Sequence, residues 1–135
     1  VDIYTGVRPG ELLVISEVHE DYFVTGLKTE SGKNRVVPLH SKIKDIFHNL
    51  INNKRFERYS GEDSLYQMWK RELKELGMGN HSPYDCRHTF ATLMARVKAD
   101  EHSIKLIMGH RISDLTKRVY THKLIEELIR EVNKI

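Results

Sequence analysis

The stretch Pro83-Tyr84-Asp85-Cys86-Arg87-His88 sets an arginine and a histidine side by side shortly after a proline. The apolar residues that follow, Phe90, Leu93, Met94 and Val97, recur at the spacing of one helical face. Proline suits the first position of a helix, where its fixed φ fits and its missing N–H costs nothing. Neighbouring helical residues point about 100° apart, so at most one of Arg87 and His88 faces a core squarely. A helix start also gathers unpaired N–H groups that favour an anion, and the rigid fork of an arginine suits a phosphate. A structural pair between Arg87 and a carboxylate such as Asp85 is the competing reading.

Three further stretches carry the same kinds of side chain. Thr5-Gly6-Val7-Arg8-Pro9-Gly10-Glu11 puts an arginine next to a proline, hence at a helix mouth, with Glu11 one turn later to brace its guanidinium. The plain alternative is a surface pair worth little. Met108-Gly109-His110 places a histidine directly after a glycine that ends a helix. Val119-Tyr120-Thr121-His122 follows ten residues after His110, on a short helix that Ser113 caps and that also holds Thr116. In order and spacing this set resembles the catalytic domain of a tyrosine recombinase of the phage-integrase family. That family has an arginine in a TGxRxxE-like box, a lysine in a β-hairpin, an HxxRH box, a GH pair and a nucleophilic tyrosine soon after it. Each motif is weak alone; together, over nearly the whole chain, they are specific. One position departs from the pattern, since Tyr84 stands where the box has its first histidine.

The resemblance implies a mostly α-helical fold with a small antiparallel sheet. It also implies site-specific DNA cleavage and rejoining through a 3′-phosphotyrosine, serving a mobile element such as a phage or transposon. A phenol with a pKa near ~10 must lose its proton to attack, and the leaving deoxyribose oxygen must gain one. Charge building on the phosphoryl oxygens can be met by a metal or by paired arginines. By resemblance Arg8 and Arg87 take that part, Lys28 is the general acid, His110 donates to a non-bridging oxygen and Tyr120 is the nucleophile. Tyr84 is a poor base, so phosphate contact is expected of it; His81 could replace the lost histidine if its loop folds over the site. His88 is expected to be structural, bonded within the helix bundle, with Glu11 in support. Lys33 and Arg35 are rivals of Lys28 or contacts to backbone phosphates, and Arg111 joins them for DNA binding.

The elements that must position these groups follow from the pattern. Residues 1–15 read as a short helix. Residues 21–39 read as a hairpin, with Tyr22, Phe23, Val24, Val36 and Val37 as strand formers and Gly32 at the turn. A helix over 41–53, capped by Ser41, carries Ile43, Ile46, Phe47, Leu50 and Ile51 on its stripe. Another, from about Ser64 to Leu76, buries Leu65, Met68, Trp69, Leu73 and Leu76 and stops at Gly77. After a break at Ala99-Asp100, a helix from Glu101 turns Ile104, Ile107 and Met108 inward. The last helix, about 123–134, gathers Leu124, Ile125, Leu128, Ile129 and Val132 on one side. Such a terminal helix either closes its own core or docks on a neighbour, and the family commonly docks it on a neighbouring protomer.

Composition sets outer bounds. At 135 residues, the chain is expected to form a single catalytic domain, truncated at its N-terminus, without the family's separate DNA-clamping (core-binding and arm-binding) domains. An apolar content of 39% supports a modest core, and a net charge of +3 permits nucleic-acid binding without demanding it. No run is long and apolar enough for a membrane span, and one cysteine, Cys86, fits a reducing cytoplasm. Eight histidines without HExxH or CxxC spacing give no metal site, and no cofactor is expected. The resemblance makes the partner double-stranded DNA at a specific site, bound by a homo-tetramer that is monomeric without it. Two rivals use the same residues: a type IB topoisomerase, which relaxes supercoils as a monomer, and a DNA-binding module with a dead site.

Overall fold

A computed structural model describes residues 1–26, 34–110 and 122–135. The N-terminal stretch is not one short helix. Helix α1 (Asp2–Thr5) stops at Gly6, whose φ of 62° is left-handed, and a separate 3₁₀ turn runs over Pro9–Leu13. Two residues impose the break. A Cβ on Gly6 would run into the Phe90 ring, and Pro9 holds Arg8 in extended backbone as the cap of the 3₁₀ turn.

The expected hairpin is there, with one strand more. β1 (Glu17–Val18), β2 (Tyr22–Thr25) and β3 (Arg35–Pro38) form an antiparallel sheet in that order. Phe23 pairs with Val37 and Thr25 with Arg35. Alternation along each strand therefore puts these four on one face, and all four are buried. β1 has two exposed residues, Glu17 and Val18, too few to show an alternation in the sequence.

Helix α2 (Lys44–Asn52) is preceded by a 3₁₀ turn over Ser41–Ile43. Ser41 is not the cap: the turn is capped by His40, whose Nδ1 accepts the Lys42 N–H at 2.9 Å. Ile43 and Phe47 are buried, but Ile46 is 56% exposed and lies off the stripe expected for it. Helix α3 (Glu62–Glu75) buries Leu65. Leu76, expected inside, is 72% exposed because the helix ends before it, where Gly77 turns left-handed at φ 73°. Helix α4 (Pro83–Arg96) starts with Pro83 in its first turn, and the Asp85 carboxylate accepts the Ser82 N–H at 2.9 Å. Helix α5 (Glu101–Met108) is capped by Asp100 and closed by Gly109 at φ 66°. Helix α6 (His122–Val132) follows.

Two apolar clusters hold these parts. Val7, Leu12, Phe23, Val37, Leu39, Ile43 and Phe47 join the 3₁₀ turn, the sheet and α2. Phe90, Met94, Ile107, Met108, Leu128 and Val132 join α4, α5 and α6, so α6 closes the core of its own chain. The Ile135 carbonyl accepts from Lys42 Nζ at 3.0 Å and lies 3.2 Å from His40 Nε2, which ties the last residue to the start of α2. Where α1 packs on α4, burial lifts the Asp2 carboxyl to about 6. Burial first, and then the charge of Asp2, pushes the Cys86 thiol up to about 11, which leaves it inert as a nucleophile.

Candidate functional site

Arg87 lies on the second turn of α4 and is 8% exposed. Its Nη1 donates to the Gly6 carbonyl and its Nη2 to the Met108 carbonyl, each at 2.6 Å. One guanidinium thus laces the loop before Arg8 to the end of α5 before His110. Asp85 is not its partner, for that carboxylate caps α4 and faces His81. Burial and the neighbouring charges of Arg8 and Arg35 pull the pKa of Arg87 down to about 10, so it stays a cation at neutral pH.

Arg8 is half-exposed and braced by Glu11, as its spacing suggests. Its backbone N–H donates to Glu11 Oε2 at 2.7 Å, and its Nη1 donates to Oε1 at 3.1 Å. Glu11 itself is wholly buried. Its main partner is Arg35, whose Nη1 and Nη2 donate to the two carboxylate oxygens at 2.5 and 2.6 Å. Burial alone would raise the Glu11 carboxyl; the hydrogen bonds and charge of Arg35, and then Arg8, hold it below its usual range. Arg35 is therefore not a surface contact for DNA phosphates: it is buried, with its guanidinium turned inward. The signal for this was in the strand pattern. Arg35 lies two residues before Val37, hence on the inward face.

His110 follows the left-handed Gly109, with its N–H bonded to the Lys105 carbonyl at 2.9 Å. Its side chain is accessible. Partial loss of hydration, then the charges of Arg87, Arg8, Lys105 and Arg35, hold its imidazole below the usual range. The ring is consequently neutral near pH 7 and keeps one N–H to donate. Arg8, Arg87 and His110 thus share one electrostatic neighbourhood, with three guanidinium groups against the one Glu11 carboxylate. Such a surplus favours an anion.

Tyr84, one turn before Arg87, is exposed, and its hydroxyl is 3.5 Å from Glu62 Oε1, at the limit of a hydrogen bond. His81 sits exposed beside Asp85 at 3.3 Å. His88 is not bonded within the bundle as expected: its side chain is exposed, turned away from the buried face that Arg87 shares. Lys28, Lys33, Arg111 and Tyr120 lie outside the described residues. Among the described residues no cluster of His, Cys, Asp and Glu could hold a metal ion, and no helix is long and apolar enough to cross a membrane.

The chain is 29% identical to tyrosine recombinase XerA of Saccharolobus solfataricus, over 96% of this chain and 46% of that protein. It is 26% identical to XerC of a Roseiflexus species, over 87% and 44%, and 28% identical to XerD of Brucella abortus, over 96% and 48%. The chain therefore spans about half the length of the curated relatives it matches. No solved structure gives a significant match. The sequence profile of the phage integrase family matches residues 2–127, and the chain belongs to that family.

Proposed function

We propose that this chain carries the cleavage and rejoining chemistry of a site-specific DNA recombinase. The observation that supports it most is that the Arg87 guanidinium bonds the Gly6 and Met108 carbonyls, two residues before Arg8 and His110, while the charges of Arg87 and Arg8 act on the His110 ring. In this reading the scissile phosphate occupies the positive neighbourhood. Arg8 and Arg87 oppose the charge that builds on its non-bridging oxygens, and the neutral His110 donates a hydrogen bond to one of them. The Tyr120 hydroxyl loses its proton to water and attacks phosphorus. The bond to the 5′-oxygen breaks, Lys28 protonates that oxygen, and a 3′-phosphotyrosine remains. Attack by another strand's 5′-hydroxyl reverses the step and releases the tyrosine, so no external energy source enters. Tyr84 contacts the phosphate from the first turn of α4. Relatives that bear the name tyrosine recombinase support the reading. By the same family membership, the enzyme acts as a tetramer on DNA, for a mobile element.

The test is covalent trapping. In the intact protein, Tyr120→Phe should form no adduct on a nicked suicide substrate. Tyr84→Phe should form it more slowly, and Tyr84→His should be active. Peptide mapping of the wild-type adduct decides between the tyrosines: DNA on the peptide that contains Tyr84 overturns the assignment. No adduct from the wild type on a cleavable cognate site would favour a non-catalytic DNA-binding module.

A further inference from the structure

We propose that Arg35 is a positioning residue of this site, a buried strut that sets Arg8 and His110 against each other without touching DNA. The inference rests on the reaction proposed above. Three ends of one guanidinium are engaged. Nη1 and Nη2 hold the two oxygens of Glu11, and Nε donates to the Ile107 carbonyl at 2.9 Å. The first branch reaches Arg8, because the same two oxygens take its N–H and its Nη1. The second reaches the end of α5. There the next carbonyl, Met108, is the one Arg87 grips, and Gly109 then aims His110. The fit at this corner is close, since a Cβ on Gly109 would lie 3.0 Å from Arg35 Cδ. A third connection runs through the sheet. Thr25, paired with Arg35 across β2 and β3, donates its hydroxyl to the Glu11 carbonyl at 2.5 Å. The chain between Thr25 and Arg35 includes Lys28.

One side chain therefore joins the hairpin base, the 3₁₀ turn of Arg8 and the helix end of His110. Stability is a weak reason for this arrangement, because a buried ion pair is commonly no better than apolar residues of the same volume. Geometry is a stronger one. A bidentate fork with a third donor on the same rigid plane fixes direction as well as distance, and neither lysine nor an apolar residue can reproduce it.

The experiment compares the intact protein with Arg35→Lys and with the double variant Arg35→Met/Glu11→Gln. The first keeps the charge without the fork; the second removes the buried charges and guards against misfolding. Each is assayed for thermal midpoint, for DNA affinity, and for the rate of adduct formation at saturating suicide substrate. A misplacement on the ångström scale would slow the reaction by about 100-fold. The expected result is such a loss in a folded variant whose DNA affinity stays within about threefold of wild type, a scale set by contacts it does not make. A rate within about threefold of wild type in either folded variant overturns the proposal, as does a loss no larger than the unfolded fraction. Imidazole and guanidinium NMR signals of the DNA-free protein give a readout independent of the reaction. The Arg8 and His110 signals should move in Arg35→Lys, and unmoved signals overturn the proposal even if the wild type forms no adduct.

Discussion

Arg87 shows what one side chain can do that its charge alone cannot. It bonds two carbonyls from different parts of the chain and still presents positive charge to the site. Lysine has the charge but cannot span both carbonyls in one plane. Arg87→Lys and Arg8→Lys should each lower the rate of adduct formation by about 100-fold or more, the scale seen when transition-state electrostatics are removed. Near-normal rates from either would contradict the roles assigned to the two arginines. His110 makes a prediction of opposite character, since it concerns a proton. Its folded pKa lies below that of an ordinary imidazole. The unfolded chain therefore binds the proton more readily, and the contribution of His110 to stability declines as pH falls through about 6.5. An NMR titration should place its midpoint below that of the unfolded chain. Arg8→Gln should raise the midpoint, because one of the positive charges facing the ring is gone. A midpoint unmoved by that change would separate Arg8 from the site.

At the scale of elements, two left-handed glycines aim the functional groups. Gly6 turns the chain from α1 into the Arg8 cap, and Gly109 turns it from α5 to His110. Gly6 is also in contact with the core. In Gly6→Ala the methyl group meets the fully buried Phe90 ring, on top of the cost of a left-handed φ. The two effects together should cost about 2–4 kcal/mol. Gly77 has a similar φ of 73° but nothing within 4 Å of the added methyl, so Gly77→Ala should cost only about 1 kcal/mol. Chemical denaturation of the two variants checks the difference. Equal losses would mean that the Phe90 contact is not what holds Gly6 in place.

At the scale of the whole molecule, charge is concentrated more than it is abundant. The net charge is only +3, while three arginines meet at one site, one of them with its guanidinium turned inward. Affinity for DNA depends on the number of phosphates neutralised, and a mild net charge favours few such contacts. The 135-residue chain by itself should bind duplex DNA with a dissociation constant of about 1 μM or weaker at physiological salt, with a shallow dependence on salt concentration. A filter-binding or anisotropy titration measures both. Nanomolar binding would show that this portion holds DNA by many phosphate contacts beyond the neighbourhood of Arg8, Arg87 and His110.

What could be read from the chain was local. Proline before Phe90, Leu93 and Met94 announces the start of α4, and glycine after Met108 announces the end of α5, because helix ends and helical periodicity involve residues within one or two turns. The spacing of Arg8 and Glu11 likewise announced their pairing. Other features depended on partners far along the chain. Residues 1–15 break at Gly6 because of the Phe90 ring, which the chain reaches only several elements later. The Arg87 partners are carbonyls, which no side-chain pattern marks. Ile46 and His88 were expected inside and lie outside, since the width of a buried face is set by the neighbours that cover it. Arg35 combines both cases. Its inward direction was legible from its alternation with Val37, but a cation on a strand reads as surface until a buried carboxylate is found opposite it. Only the fold, by bringing the 3₁₀ turn of Glu11 under the sheet, supplies that carboxylate and makes burial of the arginine tolerable.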